Sequence, residues 1–114
     1  MPLNALLTAL RQQQKNLCFA EVLATIKAHY YYAPTAFKNG PLHNAAAENE
    51  GSCLIFAFAT LHSLSQEQTL LCFGEHYQQV LASPSGTSHP NLRQFMRTGL
   101  AAVSFTHFPL KTSS

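Results

Sequence analysis

Cys53 sits in the segment NEGSC, directly after Glu50 and Ser52 and directly before the apolar run LIFAFA at 54–59. Such a cysteine falls in the first turn of a helix, where backbone dipoles favour a thiolate; with a carboxylate or an imidazole as base it could act as a nucleophile. The competing reading is a buried, inert thiol, which the apolar residues that follow favour. Glu50 has the same two faces. It can serve as a general base beside Ser52 or Cys53, or it can stabilise the positive end of the helix that begins there. Cys72 and His76 are four apart, a spacing that puts two metal ligands on one helical face; only half of a ligand set is present, so no metal is expected. Asn39, Asn44, Asn49 and Ser52, together with Tyr31 and Tyr32, supply amides and hydroxyls around one irregular stretch and are the candidate binding residues. Their bland role is to satisfy loop backbone. Arg93 and Arg97 share a helical face near His89 and Asn91 and can either hold a phosphate or lie on a solvated surface.

The supporting elements are predominantly helical. Leu3, Leu6, Leu7 and Leu10 recur at three and four residues, the period of an amphipathic helix, which predicts an ordered segment at 3–10. A second helix reads through Phe19, Val22, Leu23, Ile26 and Tyr30 and is stopped by Pro34. Residues 36–44 read as a turn or short hairpin at Asn39-Gly40, with Pro41 limiting any pairing to an edge. Ser52 is a candidate N-cap for a buried helix at 53–62. Ser65 and Gln68 fit a capping box that opens a helix running to Ser83, with Gly74 marking close packing or a break. Pro90 and Gly99 bracket a further helix. Val103 and Phe105 alternate with polar residues as a strand that could pair with 36–44, and 110–114 reads as a frayed end. The fold class is therefore α+β, with about five helices and a small minor sheet or hairpin, in one domain spanning 1–114.

Composition narrows the function classes. The 114 residues are 46% apolar and 11% charged, which suits a single globular domain with its own core. The net charge is +2 and Asp is absent, so the usual aspartate roles are vacant. Basic residues are scattered without a stripe, which argues against nucleic acid. The longest apolar run, at 53–59, is far short of the about twenty residues of a membrane span. Three cysteines without framework or zinc-ribbon spacing read as free thiols in a reducing cytoplasm, and no cofactor is implied.

Three stretches agree in order and spacing with one family: YAPTAFKNG at 32–40, NEGSC with LIFAFA at 49–59, and CFGEHYQQVLASPSGTSHPNLRQFM at 72–96. Along nearly its whole length the chain resembles the HopJ family of type III effector proteins found in Gram-negative bacteria. The resemblance implies an effector-type protein that passes through a secretion system, and it supplies no reaction, substrate or catalytic residue. Two departures stand out. Family members commonly carry an acidic residue in the segment here written Gly86-Thr87-Ser88-His89, and a Trp where Leu100 follows Gly99. The expectation is a small cytoplasmic protein that binds a partner, a protein being the candidate; the alternative is a small hydrolase using Cys53 with a nearby His or Glu50.

Overall fold

The computed structural model describes residues 1–112. In chain order the elements are α1 (Leu3–Arg11), α2 (Phe19–His29), β1 (Tyr30–Tyr32), β2 (Phe37–Asn39), β3 (Leu42–Asn44), α3 (Glu50–Leu61), α4 (Gln66–Leu71), α5 (Glu75–Ala82), α6 (Pro90–Thr98), a 3-10 turn (Leu100–Ala102), β4 (Val103–Phe105) and β5 (Leu110–Thr112). The class is α+β and mostly helical, as the sequence predicts.

α3 is the centre of the molecule. A helix that is apolar all round must be enclosed on every side, and Leu54, Ile55, Phe56, Ala57, Phe58 and Ala59 have no exposed surface. α2, α4 and β5 pack against it. Burying each of the larger side chains contributes about 1.5–3 kcal/mol, which makes α3 the main hydrophobic contribution to the fold. α1 adds Leu6 and Leu10, both without exposed surface, so residues 3–10 form part of the folded body.

Two small antiparallel sheets flank this core. One has the order β3-β2-β4, with Asn39 opposite both Leu42 and Val103. The expected hairpin and its pairing with the Val103 strand are therefore present. Gly40, at φ +56°, makes the turn; a Cβ there would meet the Gln94 side chain at 2.6 Å. Asn39 is the last strand residue and points inward. The other sheet pairs β1 with β5, Tyr31 lying opposite Lys111.

That second sheet corrects two expectations. α2 ends at His29, and the tyrosines that follow adopt extended backbone, Tyr30 lying at φ −138°, ψ 148°. Tyrosine favours strands, and β5 offers a partner that local periodicity does not reveal. By the same pairing Leu110–Thr112 is a strand with Leu110 buried and not a frayed end; residues 113–114 lie outside the described residues.

Two helix starts also differ in detail. α3 begins at Glu50 with Asn49 as N-cap, so Ser52 lies inside the first turn and caps nothing. The helix expected from Ser65 to Ser83 is divided at Gly74 (φ +54°), where a Cβ would lie 2.5 Å from the Leu17 carbonyl oxygen and 2.7 Å from the Phe19 nitrogen. The chain entering α2 crosses there, and Glu75 accepts the Phe19 N–H at 2.8 Å. Ser65 and Gln68 do form the capping box.

Candidate functional site

Cys53 is 1% exposed. The groups acting on its thiol are the Tyr32 hydroxyl, the Glu50 carboxylate and the Thr35 backbone. Burial, chiefly, pushes its pKa up to about 11; the Glu50 charge acts in the same direction, and hydrogen bonds from Tyr32 and Thr35 only partly oppose it. Tyr32 is half-buried, and its pKa is raised chiefly by burial and further by the neighbouring Glu50 and Cys53. Glu50, Tyr32 and Cys53 are thus neighbours at the α3 start. Tyr30 turns its hydroxyl to Nε2 of His62 at 2.6 Å, whereas Tyr31 is 66% exposed.

The asparagines form a connected amide network. Asn91 Oδ1 accepts Nδ2 of Asn39 at 3.1 Å and Nδ2 of Asn44 at 3.3 Å, and Asn91 Nδ2 donates to Asn44 Oδ1 at 2.9 Å. Asn49 Nδ2 donates to the same Asn44 oxygen at 2.7 Å. The network ties the β2-β3 hairpin and the start of α3 to the start of α6. Neutral amides donate and accept at once, so a buried group of them is satisfied without charge, Asn39 Oδ1 being the atom left without a partner.

Beside this network a cavity of about 180 Å³ opens between the first turns of α3 and α6. Gly51, Ser52, His76, His89, Asn91 and Leu92 supply its polar and backbone surface, and Phe19 and Phe73 its apolar floor. The His76 and His89 rings lie 4.6 Å apart, centroid to centroid, and Phe19 meets His76 edge-on at 4.3 Å. Nδ1 of His76 is wholly buried without a hydrogen-bond partner, while Nε2 of His89 is 2.8 Å from Gln79 Oε1. Burial lowers the His89 pKa, and the nearby His76 and Arg93 charges lower it further. A wider hollow of about 530 Å³ lies on the three-stranded sheet, lined by side chains such as Lys38, His43 and Ser104. It lacks a buried unpartnered group.

Of the sequence candidates, Asn49 and Ser52 line the α3–α6 cavity, Asn39 and Asn44 support it from behind, and Tyr32, Glu50 and Cys53 meet on the inner side of the α3 start. Tyr31, next to Tyr32 in β1, is exposed and takes no part in these groupings. Cys72 and His76 do not share a helical face, because Gly74 separates α4 from α5; Cys72 is fully buried, and burial raises its pKa to about 12. Among the described residues no three His, Cys or Glu side chains gather as metal ligands. Arg93 is engaged by the carbonyl oxygens of Ser83 and Ser88 and fastens the loop between α5 and α6. The contact between the His76 and His89 rings, tilted by 38°, escapes sequence reading, because the two are separated by that loop; the nearness of His89 and Asn91 to the Pro90 helix start was the available cue.

These features define a small helical α+β domain whose polar groups converge where two helices begin. The HopJ type III effector protein family model matches residues 3–110, and the chain belongs to the HopJ family. It is also similar to the crystal structure of the unknown-function protein VPA0580, with 40% identity and a TM-score of 0.95 over 99% of this chain and 95% of that one. A search of curated proteins finds no match. No helix among the described residues is long and apolar enough to cross a membrane.

Proposed function

We propose that this HopJ-family domain acts by binding, through the cleft where α3 and α6 begin, and not as a Cys53 hydrolase. The observation that carries the reading is a cavity of about 180 Å³ lined by first-turn residues of two helices whose amides have no partner within the helix and no N-cap side chain to accept them. Buried polar groups are ordinarily satisfied, so one left open beside a cavity points to a ligand that completes it. Against the hydrolase stand the closed position of Cys53 and a thiol that stays protonated near neutrality, since the thiolate is the nucleophile. The bacterial cytoplasm suits three free thiols, and delivery into a host cell follows from the family description alone.

The reading is tested by titrating the isotope-labelled full chain with small-molecule extracts and following backbone amide resonances. Saturable shifts are expected at Gly51, Ser52, His76, His89, Asn91 and Leu92. Shifts confined to other surfaces, or none, would overturn it. Cys53→Ala is expected to give the same response, and in the native protein iodoacetamide should modify the exposed Cys18 while sparing Cys53. Rapid native modification of Cys53, with loss of activity, would favour the hydrolase.

A further inference from the structure

Asn39 is the one asparagine of this chain that is followed by glycine. That neighbour makes its side chain chemically labile, because glycine has no Cβ to hinder its main-chain nitrogen as it approaches the asparagine Cγ. In a mobile chain the Gly40 nitrogen, having given its proton to hydroxide, attacks Cγ of Asn39. The new N–Cγ bond closes a cyclic succinimide as the Cγ–Nδ2 bond breaks, and Nδ2 takes up a proton and leaves as ammonia. Water then opens the ring at either carbonyl, leaving an aspartyl residue or an isoaspartyl one whose main chain runs through the former side chain. The net change is one water consumed and one ammonia released, with no oxidation.

The fold withholds every participant in this reaction. The attacking nitrogen is engaged, since the Gly40 N–H donates to the Ala102 carbonyl oxygen at 2.9 Å. The leaving group is held as well: Nδ2 of Asn39 donates to the main-chain oxygen of Asn91 at 2.9 Å and to its Oδ1 at 3.1 Å. Asn39 has no exposed surface, so neither hydroxide nor water reaches its Cγ. Asn39 also ends β2, where it lies opposite Leu42 and Val103, and ring closure would turn the Asn39-Gly40 peptide out of that ladder. Reaction therefore requires the hairpin to come away from α6 and from β4.

The same surroundings reject the product. Asn91 presents only acceptors to the Nδ2 position, and Asn39 Oδ1 is already buried without a donor. A carboxylate there would be an unpaired buried charge set against two oxygens. An isoaspartyl link lengthens the main chain at the end of β2 and so spoils its register. Independently of the cleft reading, we propose that Asn39-Gly40 is a self-modification site that the fold holds shut. Opening of the hairpin lets Asn39 convert to aspartyl or isoaspartyl, and the converted chain cannot rebuild the junction with Asn91. Every opening carries the same chance of that irreversible step, so the fraction converted records the cumulative time that the hairpin has spent open.

The test incubates the full chain at one mildly alkaline pH in native buffer, in low urea and in unfolding urea, and follows Asn39 by peptide mapping with isoaspartyl labelling. In unfolding urea Asn39 is expected to convert before any other asparagine, and Gly40→Ala should suppress that conversion where the fold plays no part. Native buffer should slow conversion about a hundredfold or more, in step with exchange of the Gly40 amide hydrogen, since both need the same opening. Asn91→Ala should speed native conversion about tenfold or more while leaving the rate in unfolding urea unchanged. If that variant does not fold, the low-urea series on the parent chain carries the test. Asn39→Asp supplies the product directly. Burial without a donor raises the folded pKa of the new carboxyl, so its stability is present in acid and lost as pH rises; its melting-temperature deficit against the parent chain should narrow as pH falls. Conversion as fast in native buffer as in unfolding urea, conversion that outruns Gly40 exchange, or converted chains that recover the parent amide spectrum would overturn the proposal.

Discussion

Asn91 joins the start of α6 to the β2-β3 hairpin, and its removal should show how much that junction contributes. Its side-chain oxygen serves both Asn39 and Asn44, its amide nitrogen donates to Asn44, and its main-chain oxygen accepts from Asn39 at 2.9 Å. All three residues are buried. In Asn91→Ala the alanine fills less space and removes the acceptor shared by Asn39 and Asn44 and one donor to Asn44, leaving the main-chain bond to Asn39 and the Asn49 and Phe37 bonds of Asn44. Stranding buried polar groups costs about 1–3 kcal/mol, so a loss of about 2–4 kcal/mol in urea unfolding is expected. A loss below about 1 kcal/mol would mean that water takes over those bonds. Part of this was legible beforehand. Asn39, Asn44 and Asn49 stand out as amides in a turn-rich stretch, and the apolar run after Cys53 foretells a buried thiol. Asn91 as their common partner was not legible, because it lies 47 positions from Asn44 and no local period connects hairpin to helix. The contact between His76 and His89 is hidden for the same reason.

Gly74 decides how α4 and α5 meet, and substitution there distinguishes a broken helix from a continuous one. In a continuous helix Gly→Ala would stabilise by about 1 kcal/mol. At φ +54°, with the Leu17 oxygen 2.5 Å and the Phe19 nitrogen 2.7 Å from the new Cβ, it must instead move backbone. Gly74→Ala is therefore expected to destabilise by about 2 kcal/mol or more, lowering the melting temperature in calorimetry by about 8 °C. A rise would show that the chain accepts one long helix. At this scale the sequence is most readable where a signal is local. The capping box has its two reciprocal bonds, at 3.0 and 2.9 Å, and Pro90 and Gly99 bracket α6 as expected. β1 and β5 escape because each is three residues long and defined by the other across most of the chain. Tyr30 continues the apolar period of α2, so sequence alone extends the helix to Pro34. Only Leu110–Thr112, paired alongside, makes the extended form the stable one.

At the scale of the whole molecule, buried titratable groups set a window of pH in which the fold is most stable. Burial lowers the pKa of His62 and His89 from the ordinary 6.5, so below 6.5 the unfolded chain binds protons that the folded chain does not. Stability is then lost as pH falls through their depressed folded values. Glu75, lowered from 4.5 mainly by the Phe19 amide that it accepts, adds a further loss below 4.5. The alkaline side has the opposite origin. Cys53 and Cys72 are raised from 9.0 to about 11 and about 12, so their contribution is complete below 9.0 and disappears as pH rises toward those values. The expected melting-temperature profile in chloride buffer has a plateau between 6.5 and 9.0 and falls on both sides. Replacing both cysteines by alanine should flatten the alkaline limb while leaving the acid limb in place, because different groups drive the two. A melting temperature that keeps climbing from 9.0 toward 11 would contradict the burial of the thiols.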